Sequence, residues 1–367
     1  MTNYQDLGLR PLINAYATVT KYGGSLMPPE VLEAMNEAAS AFVSLAELQR
    51  RVGERIAKLT RNEAAYITSG AAAGLMLSSA ACALHKQPRA LDQFSALAAL
   101  KYEAIILHSQ RNPYDYATQQ TGLRQIEIDG SPAALRAAIN DKTACVFWFP
   151  RGLCSNADLT LAETIAIADE HGLPVIVDAA AQLPPVENLW RFTQMGAALA
   201  LFSGGKDLRG PQSSGLMLGR RDLIDLIRPI SNPNHGLGRP LKVGKEELMG
   251  ALAAVERYLK LDHAARARYC EEAVRLFCDA LDPLPGVDAQ RAFPNEAGQP
   301  LPWCSVTIDS AKFGKTADEL VADFLGHDPA IAVSPLNERQ FHLNPMTLNP
   351  GEEIIVRDAC LQLLRDP

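Results

Sequence analysis

The chain has no long apolar run, no CxxC pair, no internal repeat and no surplus of positive charge. Without a stretch of about 18 apolar residues it cannot cross a membrane as a helix. No basic-then-apolar leader opens it, so export through a cleaved signal is not expected. A formal net charge of −7 and a pI near 5.6 leave no electrostatic footprint for nucleic acid, which needs a basic face. The seven cysteines, Cys82, Cys145, Cys154, Cys270, Cys278, Cys304 and Cys360, are odd in number and several sit in apolar runs. That pattern points to a reduced, cytoplasmic compartment and buried, inert thiols rather than a disulfide framework.

What is present is ordinary globular material: 367 residues, 47% apolar and 21% charged, enough for a buried core and two or three domains. The first 30 residues lack a strong period, hold Gly23, Gly24, Pro28 and Pro29, and read as an extended arm. Helical patterning follows over Val31–Phe42 and Leu45–Leu59. From residue 64 short apolar runs alternate with amphipathic stretches. The runs are Ala64–Thr68, Ala104–Leu107, Gln125–Ile128, Ala144–Phe149, Pro174–Asp178, Ala198–Ser203 and Ser214–Leu218. Continuous apolar strands separated by helices predict a mostly parallel seven-stranded sheet covered by helices on both faces.

A Gly/Pro-rich loop, Ser231–Pro240, precedes a long helical pattern over Gly244–Leu281. The remainder mixes strands (Ser305–Ile308, Ile331–Val333, Phe341–Leu343) with helices at Thr316–Leu325 and Pro350–Leu364, as a small α+β domain would. The expected division is therefore an arm over 1–30, a large domain over 31–245, and an interdomain helix with the small C-terminal domain over 246–367.

In such sheets function gathers beyond the carboxyl ends of the strands, and three signals fall there. Thr68-Ser69-Gly70-Ala71-Ala72-Ala73-Gly74 follows a strand and opens a helix, where free N–H groups and the positive dipole end suit an anion. Taken alone, it reads equally well as a close-packed helix start. Val175-Ile176-Val177-Asp178 ends an apolar strand on a carboxylate, which at a buried tip needs a cationic or donor partner. A helix cap or structural ion pair is the plainer reading. Leu201-Phe202-Ser203-Gly204-Gly205-Lys206 is another strand-to-turn junction. Its glycines leave room beside an ammonium that becomes an amine nucleophile when partly dry; a lone lysine is otherwise a solvated one.

In that order the three describe a pyridoxal-phosphate site: an amine for the aldehyde, N–H donors for the phosphate, and an acid for the pyridine nitrogen. The sequence resembles the fold-type-I pyridoxal-phosphate superfamily. Through Val177–Pro185, Phe202–Gly219, Leu12–Ala15, Gly236–Glu246 and Asn344–Leu348 it is similar to the selenocysteine synthase (seryl-tRNA selenium transferase)-like branch, which includes D-glucosaminate-6-phosphate ammonia-lyases. The resemblance implies Lys206 as the Schiff-base lysine and Asp178 as the partner of the ring nitrogen. It implies phosphate contacts from Ser69, Gly70, Ala71 and Ala72, with a hydroxyl from Ser203, and a bond from Gln182 to the ring hydroxyl. The loop His108–Asp115 is expected over the ring, with Gln110, Arg111 or His108 as the stacking group. Arg239, Lys242 and Arg339 are candidates for a substrate carboxylate or phosphate, and Arg239 and Lys242 read equally well as a solvated turn or subunit contact.

The implied activity is an ammonia-lyase or dehydratase acting on an amino acid or amino-sugar acid. An amino-acid racemase or epimerase is the close alternative, and transfer of selenium to seryl-tRNA a more distant one, since it needs a tRNA surface. A protein that merely carries the cofactor is a further class, set against the intact Lys206 and Asp178. No metal is implied. The arm and the loop Ser231–Lys245 further suggest a homodimer or larger homo-oligomer with its sites at the interface.

Overall fold

The computed structural model describes residues 3–88, 100–150 and 158–365. They form two compact units, one spanning 27–261 and the other joining the first 26 residues to 262–367. The expected divisions at 30/31 and 245/246 thus differ from the observed ones at 26/27 and 261/262. The helix Lys245–Tyr258 packs closely against Pro29–Ala39 and Leu45–Leu59 inside the larger unit.

The arm is not free-standing. Its strand β1 (Leu12–Asn14) pairs in parallel with Ala330–Ala332 of the smaller unit. The Ala15 carbonyl accepts from Asn344 N at 2.8 Å, and Thr347 Oγ1 donates to the Asn14 carbonyl at 2.7 Å.

The larger unit is built on a seven-stranded sheet of β2 (Ala64–Thr68), β3 (Glu103–Leu107), β4 (Arg124–Ile128), β5 (Thr143–Trp148), β6 (Val175–Asp178), β7 (Leu199–Ser203) and β8 (Gly215–Gly219), in the order β2-β8-β7-β6-β5-β3-β4. Only β8 runs against its neighbours; the other pairs are parallel. Every strand but the edge strand β4 feeds two cores because successive side chains face opposite ways. Ala65, Ile67, Val146, Val175, Val177, Ala200 and Phe202 join one core; Ala64, Tyr66, Phe147, Ile176, Leu199 and Leu201 join the other. Burial on both faces is why these strands read as unbroken apolar runs.

The smaller unit carries a four-stranded antiparallel sheet, β9 (Val287–Ala292), β10 (Trp303–Ile308), β12 (Ser334–Asn337) and β13 (Gln340–Leu343), while β11 (Ala330–Ala332) is the partner of β1. Its core gathers Val274, Phe277 and Leu281 of the helix His263–Leu281 against Cys304, Val306 and Phe341. The pattern expected as one helix over Gly244–Leu281 is two, broken before Asp262. Its carboxylate accepts from Ala265 N at 2.8 Å, and an Asp cap of this kind starts a new helix rather than continuing an old one. No helix among the described residues is long and apolar enough to cross a membrane.

Candidate active site

Because β8 is antiparallel to both its neighbours, the carboxyl ends of β2 and β7 flank its first residue. Thr68 and Ser203 both pair with Gly215. Strands lie about 4.8 Å apart, so the tips of β2 and β7 are roughly 10 Å from one another. Asp178 ends β6 beside β7, opposite Leu201. The Ala179 N–H donates to the Leu201 carbonyl at 2.8 Å and carries this pairing past the strand end. Ser69–Ala72, Asp178 and Ser203–Lys206 therefore share one edge of one sheet.

The turn after β2 is shaped by Gly70, whose φ of 115° and ψ of 165° lie in a region open essentially to glycine alone. A Cβ built there meets nothing within 4 Å, so the residue faces open space. Thr68 Oγ1 donates to the Gly70 carbonyl at 2.8 Å, and Gly74 N donates to the same oxygen at 3.1 Å, starting the helix Ala71–Lys86. The first N–H groups of that helix have no partner within it. Gly215 closes the cradle from beneath: a Cβ there would lie 2.6 Å from the Gly70 carbonyl carbon and 2.7 Å from Thr68 Oγ1. Ser69, Gly70 and Ala71 are half-buried and Ala72 is exposed.

Lys206 sits half-buried in a tightly tied turn. Gly204 N donates to the Ser214 carbonyl and Gly210 N to the Gly204 carbonyl, both at 2.8 Å, while Arg209, at a φ of 54°, donates to the Lys206 carbonyl at 3.0 Å. Beneath it Asp207, 3% exposed, accepts a 2.6 Å hydrogen bond from the hydroxyl of Tyr258, which is fully buried at the end of the helix Lys245–Tyr258. The sequence reading missed this anchor. Asp207 stands next to the lysine, but its partner lies 51 residues away.

Asp178 is 9% exposed, and its Oδ1 accepts from Ala180 N at 3.0 Å. Burial pushes its carboxyl above the ordinary value of 3.8, against the pull of the Ala180 N–H and the charge of Lys206. A buried carboxylate raised in this way suits a site that receives a further cation. The open space at Gly70, the helix start and the Asp178–Lys206 edge together fit an anionic group at one end and a protonated ring nitrogen at the other. Among the described residues no group of three or more His, Cys, Asp or Glu side chains can hold a metal.

Other expectations fare differently. Gln110 is fully buried, with Oε1 accepting from Phe149 N at 2.8 Å, which ties the ends of β3 and β5 together. Its polarity serves a buried backbone N–H, which needs a partner away from water. His108 is exposed and pairs with Glu127 at 3.0 Å, while Arg111 pairs with Asp115 and Glu127. Gln182 is half-buried in the turn after β6, where its carbonyl accepts from Asn188 Nδ2 at 2.7 Å. Arg239 is half-buried and donates to Asn232 Oδ1 at 3.0 Å; Lys242 is exposed. Arg339 lies exposed between β12 and β13 in the smaller unit. The six described cysteines are free thiols, five of them buried and Cys278 half-buried; Cys154 lies outside the described residues.

No family model matches the chain. A D-glucosaminate-6-phosphate ammonia lyase of Salmonella typhimurium is 29% identical over 96% of this chain and 95% of its own length. A 5'-C-glycyluridine monooxygenase-decarboxylase of Streptomyces sp is 31% identical, covering 96% of this chain and 90% of its own. An L-seryl-tRNA(Sec) selenium transferase of Serratia proteamaculans is 28% identical over 71% of this chain and 58% of that protein. Among solved structures, a D-glucosaminate-6-phosphate ammonia-lyase superposes with a TM-score of 0.82 at 28% identity over 99% of both chains.

Proposed function

Because the chain belongs to the selenocysteine-synthase-like branch of the fold-type-I pyridoxal-phosphate enzymes, we propose that it removes the α-proton of an amino acid or amino-sugar acid and releases ammonia. The observation that carries the site assignment is the buried Asp178 beside the Lys206 turn on neighbouring strand ends.

When bound, pyridoxal 5'-phosphate supplies an electron sink for a carbanion at the substrate α-carbon. Lys206 Nζ would hold the cofactor by its aldehyde, and the same amine is the general base placed to take the substrate α-proton. Asp178, 9% exposed at the end of β6, would keep the ring nitrogen protonated. The N–H groups of Gly70, Ala71 and Ala72 would hold the phosphate, with Ser203 adding a hydroxyl from the end of β7. The proton on Lys206 then leaves with the β-hydroxyl as water, and hydrolysis of the remaining C–N bond yields ammonia and a 2-oxo acid.

The likeness to the lyase, over nearly the full length of both chains, supports this reading. A second reading, oxygen-dependent decarboxylation of a glycyl-bearing substrate, is supported by the comparably similar monooxygenase-decarboxylase. A panel of D- and L-amino acids and sugar amino acids, with and without phosphate, separates the two. Ammonia and 2-oxo acid formed without oxygen support the lyase; oxygen uptake with carbon dioxide release and no anaerobic ammonia overturns it. Lys206→Ala is expected to lose the visible absorbance of the bound cofactor and all turnover, and full activity in that variant would remove Lys206 from the site.

The assembly belongs to the same proposal: at least a homodimer. Phe42 is fully exposed and Val43 54% exposed on the loop between two helices, an apolar tip suited to a second copy of this chain. Sedimentation at micromolar concentration checks it, and a fully active monomer rules it out.

A further inference from the structure

Outside the candidate active site, the smaller unit holds two thiols in contact. Cys278 is on the outer part of the helix His263–Leu281, and Cys304 is the second residue of β10 against which that helix packs. Their sulfurs are 3.6 Å apart. A disulfide needs about 2.05 Å, so the sulfurs must close by roughly 1.5 Å, a movement within the reach of side-chain rotation. The two thiols are unequal in access. Cys304 is fully buried, whereas Cys278 is half-buried and lines a cavity of about 650 Å³ with Arg275, Asp279, Asp282, Gln290 and Arg291.

We propose that Cys278 and Cys304 form an oxidisable dithiol in which Cys278 meets a hydroperoxide from the cavity and Cys304 resolves the product to a disulfide. A thiolate is the attacking species, and the Cys304 S–H can donate to a Cys278 thiolate, which lowers the Cys278 thiol below its ordinary value of 9.0. Asp279 and Asp282 oppose that effect without reversing it, while the same contact and burial hold the Cys304 proton in place.

In the first step Cys278 Sγ bonds to one peroxide oxygen and the O–O bond breaks. The other oxygen takes a proton and leaves as water or an alcohol, and Cys278 is a sulfenic acid. In the second step Cys304 Sγ attacks Cys278 Sγ, the S–O bond breaks, and the hydroxyl leaves with the Cys304 proton as water. Two thiols and one hydroperoxide become one disulfide, one water and one further water or alcohol. The product joins the helix to β10 within one unit.

The buried pair Cys82 and Cys145 is the internal comparison, since both are closed to solvent and the reaction is not expected there. The test treats the cofactor-loaded protein with hydrogen peroxide, blocks remaining thiols with an alkylating agent, and maps the peptides without reduction. The expected result is a loss of two alkylatable thiols and two mass units, with the peptides of Cys278 and Cys304 joined. Cys304→Ser should instead leave a sulfenic acid on Cys278 that a dimedone probe captures, and Cys278→Ser should show neither product. Cofactor absorbance checks that each variant folds; Cys278→Ala serves if the serine variant does not. Cys278 oxidised alone in the unaltered protein, a crosslink elsewhere, or no loss of thiols would each overturn the proposal.

Discussion

Gly70→Ala tests the anion cradle at its most demanding position. With φ at 115° and ψ at 165°, Gly70 occupies a conformation that an L side chain adopts only under strain of about 1–3 kcal/mol. Beyond its chain neighbours nothing lies within 4 Å of the added methyl, so the effect is local backbone strain rather than a packing clash. If the turn keeps its shape, the midpoint of thermal unfolding of the cofactor-free protein falls by roughly 2–12 °C, taking about 2–4 °C per kcal/mol for a unit of this size. If the turn relaxes instead, the Gly70 carbonyl leaves Thr68 Oγ1 and Gly74 N, and the helix N–H groups lose their aim. The cofactor Kd then rises about tenfold for each 1.4 kcal/mol lost. Gly172→Ala is the matched control. Gly172 also has positive φ and open space, but it lies ahead of β6, at the far edge of the sheet, so stability should fall without a change in Kd. Differential scanning fluorimetry and titration of the cofactor's visible absorbance measure both quantities. Wild-type values for both in Gly70→Ala would refute the strain argument and the cradle with it.

Two further outcomes follow from the same edge. The folded Asp178 carboxyl is raised by burial, so its contribution to stability is full below its ordinary value of 3.8 and is lost as pH rises through the raised one. Asp178→Asn should therefore make the cofactor-free protein more stable than wild type at neutral pH while abolishing turnover; urea unfolding from pH 4 to 8 checks this, and a variant no more stable at pH 7 contradicts it. Tyr258→Phe removes a 2.6 Å hydrogen bond to a buried carboxylate and should cost about 1.5–3 kcal/mol, lowering kcat more than it raises KM because the lysine turn loses its support. Unchanged unfolding and unchanged kcat in that variant would show that the turn holds itself.

The readings that survive from sequence to structure are those whose physics is local. A strand buried on both faces must be apolar throughout, so Ala64–Thr68, Val175–Asp178 and Leu199–Ser203 announced themselves, and the residue after each apolar run fell at one sheet edge. The half-exposed strands did not. Val287–Ala292 reads VDAQRA, with one face in water, and Ser334–Asn337 carries a proline and lies at a sheet edge, so neither offers an apolar run. The helix break before Asp262 was hidden because its flanking segments are both amphipathic and only a cap separates them.

The same distinction sorts the site residues. Lys206, Asp178 and Gly70 could be placed on one sheet edge from sequence because the geometry of each is set within a few residues: a turn, a strand end, a helix start. The structural tie of Gln110 was not legible, because its carboxamide answers to Phe149 N, 39 residues on, and nothing near it in sequence declares that bond. Asp207 was passed over for the complementary reason, since a carboxylate beside a lysine in one turn reads as surface until Tyr258 buries it. The proposed cofactor edge is thus made in two tiers. The groups proposed to touch the cofactor come from short, locally determined junctions, and the groups that hold those junctions rigid come from distant helices and strands. Substitutions in the first tier should act on cofactor binding and chemistry beyond whatever local strain or charge they change, and those in the second should lower activity through the loss of stability.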